Sequence, residues 1–192
     1  MNFIRKDVFK IIDSNFIDEG FFQDKDDFTT EIRIKKNIER FSAKYPDLLS
    51  RFLSTLKTNF PNAAIDDCSQ LFSLDRCLRI RIEIDENTQF ICQISVFEFF
   101  SVYCAPVNNI SGFEYQESQT SQLKFIDPDE DNTCDKIYKC LIDCNVNFTW
   151  LKRELLEEVV PRLSESDYLG ESFYDGLYVI SVGCVLFTKF YG

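Results

Sequence analysis

Apolar side chains near the start of the chain recur with helical spacing. Ile4, Val8, Ile11 and Ile12 stand at i, i+4, i+7 and i+8, with Asn15 or Phe16 extending the row. A polar stretch holding Asp18, Glu19, Asp24, Asp26 and Asp27 interrupts the pattern. Ile34, Ile38, Phe41 and Tyr45 then mark a second helix. Pro46, at a position suited to the first helical residue, opens a third. Its face is Leu48, Leu49, Phe52, Leu53, Leu56 and Phe60, and Pro61 ends it.

At about residue 63 the period changes from helical to alternating. Leu78, Ile80, Ile82 and Ile84 alternate with Arg79, Arg81, Glu83 and Asp85, which predicts a half-buried strand with one wet face. Glu86-Asn87-Thr88 supplies a turn into a second strand over Phe90 to Ser95. The segment Val96 to Cys104 is apolar on both faces and predicts a more central strand. Consecutive strands joined by short links make an antiparallel meander.

Pro106 to Gln122 is polar and patternless, as a loop or irregular crossing is. Helical spacing returns at Ile137, Leu141 and Cys144. A further short helix is expected to carry Phe148, Leu151, Leu155 and Leu156, closed by Pro161. The run from Leu177 to Phe187 is apolar on both faces and rich in β-branched residues, which predicts a buried last strand.

Helices, strands, helices and a strand, in that order, define an α+β protein. The expected architecture is a mainly antiparallel sheet, meander plus C-terminal strand, with helices packed on one face. One domain over residues 1–192 accommodates it: N-terminal helices at about 3–60, the meander at about 63–105, helices at about 133–160 and the last strand at about 177–187.

Composition narrows the chemistry. The 192 residues include 20 Phe and no His. That zero removes Ser-His-Asp triads, Cys-His proteases and histidine zinc sites. The net charge of −11 argues against nucleic acid and against an anionic membrane surface as partners. It suits a basic protein partner, or serves solubility alone. The start of the chain has no signal-peptide pattern, because Arg5, Lys6, Asp7 and Lys10 break up any apolar core, so a cytoplasmic protein is expected. The eight cysteines then read as small buried apolar residues rather than disulfides.

Each motif with chemical promise meets an obstacle. Asp127 to Asn132 places oxygen ligands at alternate positions, as a calcium loop does, but Asn132 stands where Gly is wanted and Tyr138 where a bidentate Glu is needed. Acids there complement a helix N-terminus instead, with Asp131 or Asn132 as its cap. Cys134, Cys140 and Cys144 form no C-x-x-C pair, and no phosphate-cradling glycine loop can be written. Glu83 and Asp85 share a strand face at i, i+2, where an acid/base pair is conceivable, but Arg79 and Arg81 or water are the expected company. No cofactor, metal ligand or catalytic residue is therefore assigned.

The stretch Ser164 to Gly176 differs in kind. It holds Glu165, Asp167, Glu171 and Asp175 without a Lys or Arg, interleaved with Tyr168, Phe173 and Tyr174. Acids supply steering and aromatics supply anchors at protein interfaces. Asp167, Tyr168, Glu171, Phe173, Tyr174 and Asp175 are the candidate partner-binding residues, with Asp129 and Asp131 as a second patch.

Val159-Val160-Pro161, a polar loop, then Leu177-Tyr178-Val179-Ile180 running into Val185-Leu186-Phe187 resembles the small acidic immunity proteins of bacterial polymorphic-toxin systems. The likeness covers about a quarter of the chain. It implies a cytoplasmic inhibitor that binds one toxin domain and plugs or distorts its active site. The lead expectation is thus a non-enzymatic protein-binding protein, an immunity-type inhibitor of a basic toxin domain. The alternatives are a carboxylate-based hydrolase, with or without a metal, and a phage-type scaffold or accessory protein.

Overall fold

Leu78, Ile80 and Ile82 are buried on one side of a seven-residue strand while Arg79, Arg81 and Glu83 are half-exposed on the other, as the alternation predicts. The computed structural model describes residues 2–16, 27–69, 77–106, 124–127, 129–158, 160 and 182–187. Within them the strands are β1 (Ala64–Asp67), β2 (Cys77–Glu83), β3 (Thr88–Ser95), β4 (Phe99–Pro106), β5 (Lys124–Phe125) and β6 (Thr149–Trp150). The helices are α1 (Asn2–Asn15), α2 (Asp27–Lys44), α3 (Leu48–Asn59), α4 (Asn132–Ile142), α5 (Arg153–Leu156) and α6 (Val182–Phe187). The protein is α+β.

Strand order is β1-β2-β3-β4-β5, every neighbouring pair antiparallel, with β6 added parallel to β4. β5 and β6 share one edge of β4. Thr149 N–H donates to Glu98 O, Leu151 N–H to Phe100 O and Ile126 N–H to Val102 O, and those three carbonyls alternate along a single edge. Phe148 and Leu151 therefore do not belong to a helix, as their spacing suggests. The unpaired carbonyls of β4 capture that segment as a strand, and only Arg153–Leu156 is helical.

Two other boundaries shift. Val96-Phe97-Glu98 is a tight turn ahead of β4, with Glu98 N–H bonded to Ser95 O at 2.9 Å and Glu98 at a positive φ of 66°. Lys44 of α2 reaches that turn and donates to Glu98 Oε1 at 2.5 Å. The third helix begins at Leu48 rather than Pro46, because Leu48 N–H is already turned back onto Tyr45 O.

The face of Leu78, Ile80 and Ile82 continues through Phe90, Cys92 and Ile94 of β3 to Phe100 and Val102 of β4. Phe52 and Leu56 of α3 and Ile137 and Leu141 of α4 close over it, forming the main core. Burying side chains of this size contributes about 1.5–3 kcal/mol each. Phe100 sits at the centre, with its ring edge-on to Trp150 at 4.9 Å.

The opposite face differs from expectation. The apolar run at 177–187 is not a strand where it is described: Val182–Phe187 is a helix, and 177–181 lie outside the described residues. This helix lies across the second face, so helices cover both sides of the sheet. Gly183 allows the approach, since a Cβ there would come within 3.2 Å of the Leu156 carbonyl. Val182, Leu186 and Phe187 join Val8 and Ile12 of α1, Phe16 just after it, and Leu155 and Leu156 of α5 in a second core. The face beneath is polar yet buried: Gln89, Gln93, Ser95 and Ser101 are at most 1% exposed. Ser101 Oγ donates to Gln93 Oε1 at 3.1 Å, and Ser95 Oγ donates to Leu186 O at 3.0 Å.

Candidate functional site

Asp167, Tyr168, Glu171, Phe173, Tyr174 and Asp175, the acidic-aromatic candidates, all lie outside the described residues. The second patch is described. Asp131 is the N-cap of α4, its carboxylate accepting from Thr133 N–H at 2.6 Å and Cys134 N–H at 3.2 Å. Two of the helix's orphan donors are thereby satisfied. Asp127 Oδ1 accepts from Arg153 N–H at 2.7 Å, and Glu130 lies 3.4 Å from the Arg153 guanidinium. Asp129 points outward, its side chain 76% exposed and 3.9 Å from Lys152. The calcium-like stretch thus joins the start of α4 to the start of α5, and Asp129 and Glu130 are its exposed acids.

Four thiols of the main core are held away from reactivity. Cys92, Cys134, Cys140 and Cys144 are buried free thiols in the main core. Burial pushes Cys134 up to about 12 and Cys140 up to about 11, with Asp131 and Asp143 respectively adding to the effect. Cys92 is raised well above its ordinary value by burial. Thiolate nucleophiles and redox pairs require the opposite shift. Among the described residues no group of three or more His, Cys, Asp or Glu is placed to hold a metal ion. Nor is any described helix long and apolar enough to cross a membrane.

Glu83 and Asp85 do not converge. Glu83 stands 3.4 Å from Arg81, while Asp85 accepts from Asn87 N–H at 2.8 Å within the β2–β3 turn. Arg81 also reaches across to β1, donating from its guanidinium to Asp66 at 2.5 Å. Asp66 and Arg81 are register partners, so the pair follows directly from the strand alignment.

This brings forward a feature that spacing alone does not reveal: an acidic margin of the sheet. Asp66 and Asp67 are exposed on β1, the terminal strand among the described residues, and Asp85 and Glu86 are exposed on the adjoining hairpin. In the sequence the Asp66-Asp67 doublet lies within the expected meander at about 63–105, where nothing local marks it as an edge.

Charge is divided unevenly along the chain. Residues 1–60 hold eleven Lys and Arg against ten Asp and Glu, whereas 61–192 hold ten against twenty-two. The excess acid therefore belongs to the sheet and to the segments that follow it. No family model matches the chain, and neither does any curated protein or solved structure.

Proposed function

We propose that this is a non-enzymatic binding protein that grips a single basic protein partner, and that it acts in the cytoplasm as an immunity-type inhibitor of a toxin domain. The observation that carries the reading is the charge division: the surplus of twelve acids over residues 61–192, against a near balance before them. Such a field draws a cationic surface from beyond contact range, raising association toward ~10⁸ M⁻¹s⁻¹ at low salt. The acid-aromatic stretch supports the same role, with Asp167, Glu171 and Asp175 steering while Tyr168, Phe173 and Tyr174 anchor. The buried, protonated thiols and the separately engaged Glu83 and Asp85 leave binding as the better-supported activity.

The test is capture of the basic domain encoded beside this reading frame, at about 50 mM and about 500 mM salt, where the range of charge interactions differs severalfold. Binding at low salt that weakens at least tenfold at high salt, together with loss of the domain's activity, is the expected result. A neighbourhood without any toxin-like frame, or binding indifferent to salt, removes the reading.

A further inference from the structure

The geometry points to the outer edge of β1 as the docking site for an extended basic segment of the partner, which would join the sheet as an added strand. The inference rests on the basic-partner reading and says where and how that partner is held.

Hydrogen-bond phase identifies the free groups. Cys68 N–H donates to Arg79 O at 2.8 Å, and the register continues Asp66 against Arg81 and Ala64 against Glu83. Residues 64, 66 and 68 therefore turn their backbone groups toward β2, and antiparallel pairing turns those of Ile65 and Asp67 outward. Outside the β1–β2 ladder, no described backbone group bonds to the N–H of Ile65 or Asp67. Among the described residues β1 is terminal in the sheet, and Ala64, Asp66 and Asp67 are exposed. Two outward residues offer a template for a short added strand.

Charge selects the occupant. Asp66 and Asp67 lie on the strand, with Glu83 opposite Ala64 and Asp85 and Glu86 at the turn; Arg81, between Asp66 and Glu83, is the counter-charge in that set. A second copy of β1 would bring acids against acids, which opposes self-pairing. Asp66 and Glu83 share one face by register, and a strand with Lys or Arg at alternate positions can turn all its cations toward that face. The same charges that reject a copy admit a basic segment.

The probe is a synthetic peptide of about nine residues alternating Lys with Val or Thr, a composition that favours an extended chain. A control peptide carries Glu for Lys. The expected result is slower hydrogen exchange at Ile65 and Asp67, by tenfold or more, with the Lys peptide and not with the Glu peptide. Asp67→Pro deletes one outward N–H, together with the carboxylate that accepts from Ser69 N–H at 2.9 Å, while leaving the β1–β2 bonds in place. It should weaken binding at least tenfold relative to Asp67→Ala, which loses the same carboxylate and keeps the N–H. Should that variant not fold, Asp66→Lys supplies the test through charge, on the face shared with Glu83. Failure of the Lys peptide to bind, or binding with both amides still exchanging freely, overturns the edge assignment. Salt-sensitive capture of a basic domain with these amides unprotected would overturn it while leaving the basic-partner reading intact.

Discussion

Arg79 of β2 donates from its guanidinium to the carbonyl oxygen of Phe187 at 2.6 Å, and the neighbouring Cys77 thiol donates to the same oxygen at 2.9 Å. A strand thus closes the last turn of a helix more than a hundred residues away in sequence. The last carbonyls of a helix lack intrahelical partners, and a cation there also complements the partial negative charge of that end. Arg79→Ala should cost about 1.5–3 kcal/mol, the range for a bond to a charged group, because it leaves a buried carbonyl with only the weak thiol donor. Arg79→Lys should recover part of the loss. Urea unfolding of the three proteins measures this. An unchanged midpoint in Arg79→Ala would mean that the guanidinium bond to Phe187 O does not help to hold α6.

Asp131 offers a cleaner local test. Its one carboxylate oxygen accepts from two N–H groups of α4, and the residue has the extended backbone of an N-cap. Asp131→Ala should lower stability by about 1 kcal/mol, and Asp131→Asn by much less, since Asn caps nearly as well. Asp129→Ala, an exposed neighbour, should stay within about 0.5 kcal/mol. Equal losses for Asp131→Ala and Asp129→Ala would remove the capping role. The pair also separates structure from function: a partner that responds to Asp129→Ala but not to Asp131→Asn is reading the exposed acid.

The regular parts of the fold were legible because one local pattern decides them. Leu78, Ile80 and Ile82 could satisfy period two only as a strand, and Leu48, Phe52 and Leu56 period 3.6 only as a helix. Residues 148–151 and 182–187 depart from their local pattern for a common reason, which is that distant groups choose their conformation. The spacing of Phe148 and Leu151 looks helical, but Glu98 O and Phe100 O take up the N–H groups of Thr149 and Leu151. Val182 and Val185 favour a strand on propensity. Gly183 against the Leu156 carbonyl, with Ser95 and Arg79 beneath the last turn, holds a helix there instead.

The site was legible only as chemistry. Acids without cations at 165–175 stand out in the sequence, as does the absence of histidine. The acidic margin at Asp66 and Asp67 does not, because its meaning depends on β1 being terminal. A short strand four residues long carries no mark of its place in a sheet.

Phe100 and Trp150 provide a probe of the main core. Phe100 is fully buried, edge-on to Trp150 at 4.9 Å, stacked on Tyr138 at 5.8 Å and edge-on to Phe52 at 6.4 Å. Phe100→Ala removes a ring shared by β4, α3, α4 and β6, and should cost about 3–5 kcal/mol. Trp150 is the single tryptophan and is buried, so its emission should lie to the blue in the native state and shift red in one cooperative step. The same step should appear by circular dichroism at the same urea concentration. Separate midpoints would show that the core around Phe100 and the second core around Val182 and Leu186 unfold independently.

Buried thiols give the protein an alkaline limit. Burial raises Cys134 to about 12 and Cys140 to about 11, while an unfolded thiol ionises near 9. Below pH 9 both states hold their protons and these groups make stability neither rise nor fall. Between about 9 and about 11–12 the unfolded chain releases protons that the folded chain retains, so ionisation draws the equilibrium toward unfolding and stability falls as pH rises. Urea midpoints at neutral pH and at about pH 10.5 should differ in that direction. Lysines and tyrosines titrate in the same window, so the decisive comparison is Cys134→Ala, which should flatten the fall. Thiol labelling supplies the second measurement. At pH 8 the half-buried Cys68 should react well before Cys92, Cys134 and Cys140, which should require denaturant. Native-state labelling of Cys92 as fast as Cys68 would contradict the packing of β3 against α4, and with it the order of the whole sheet.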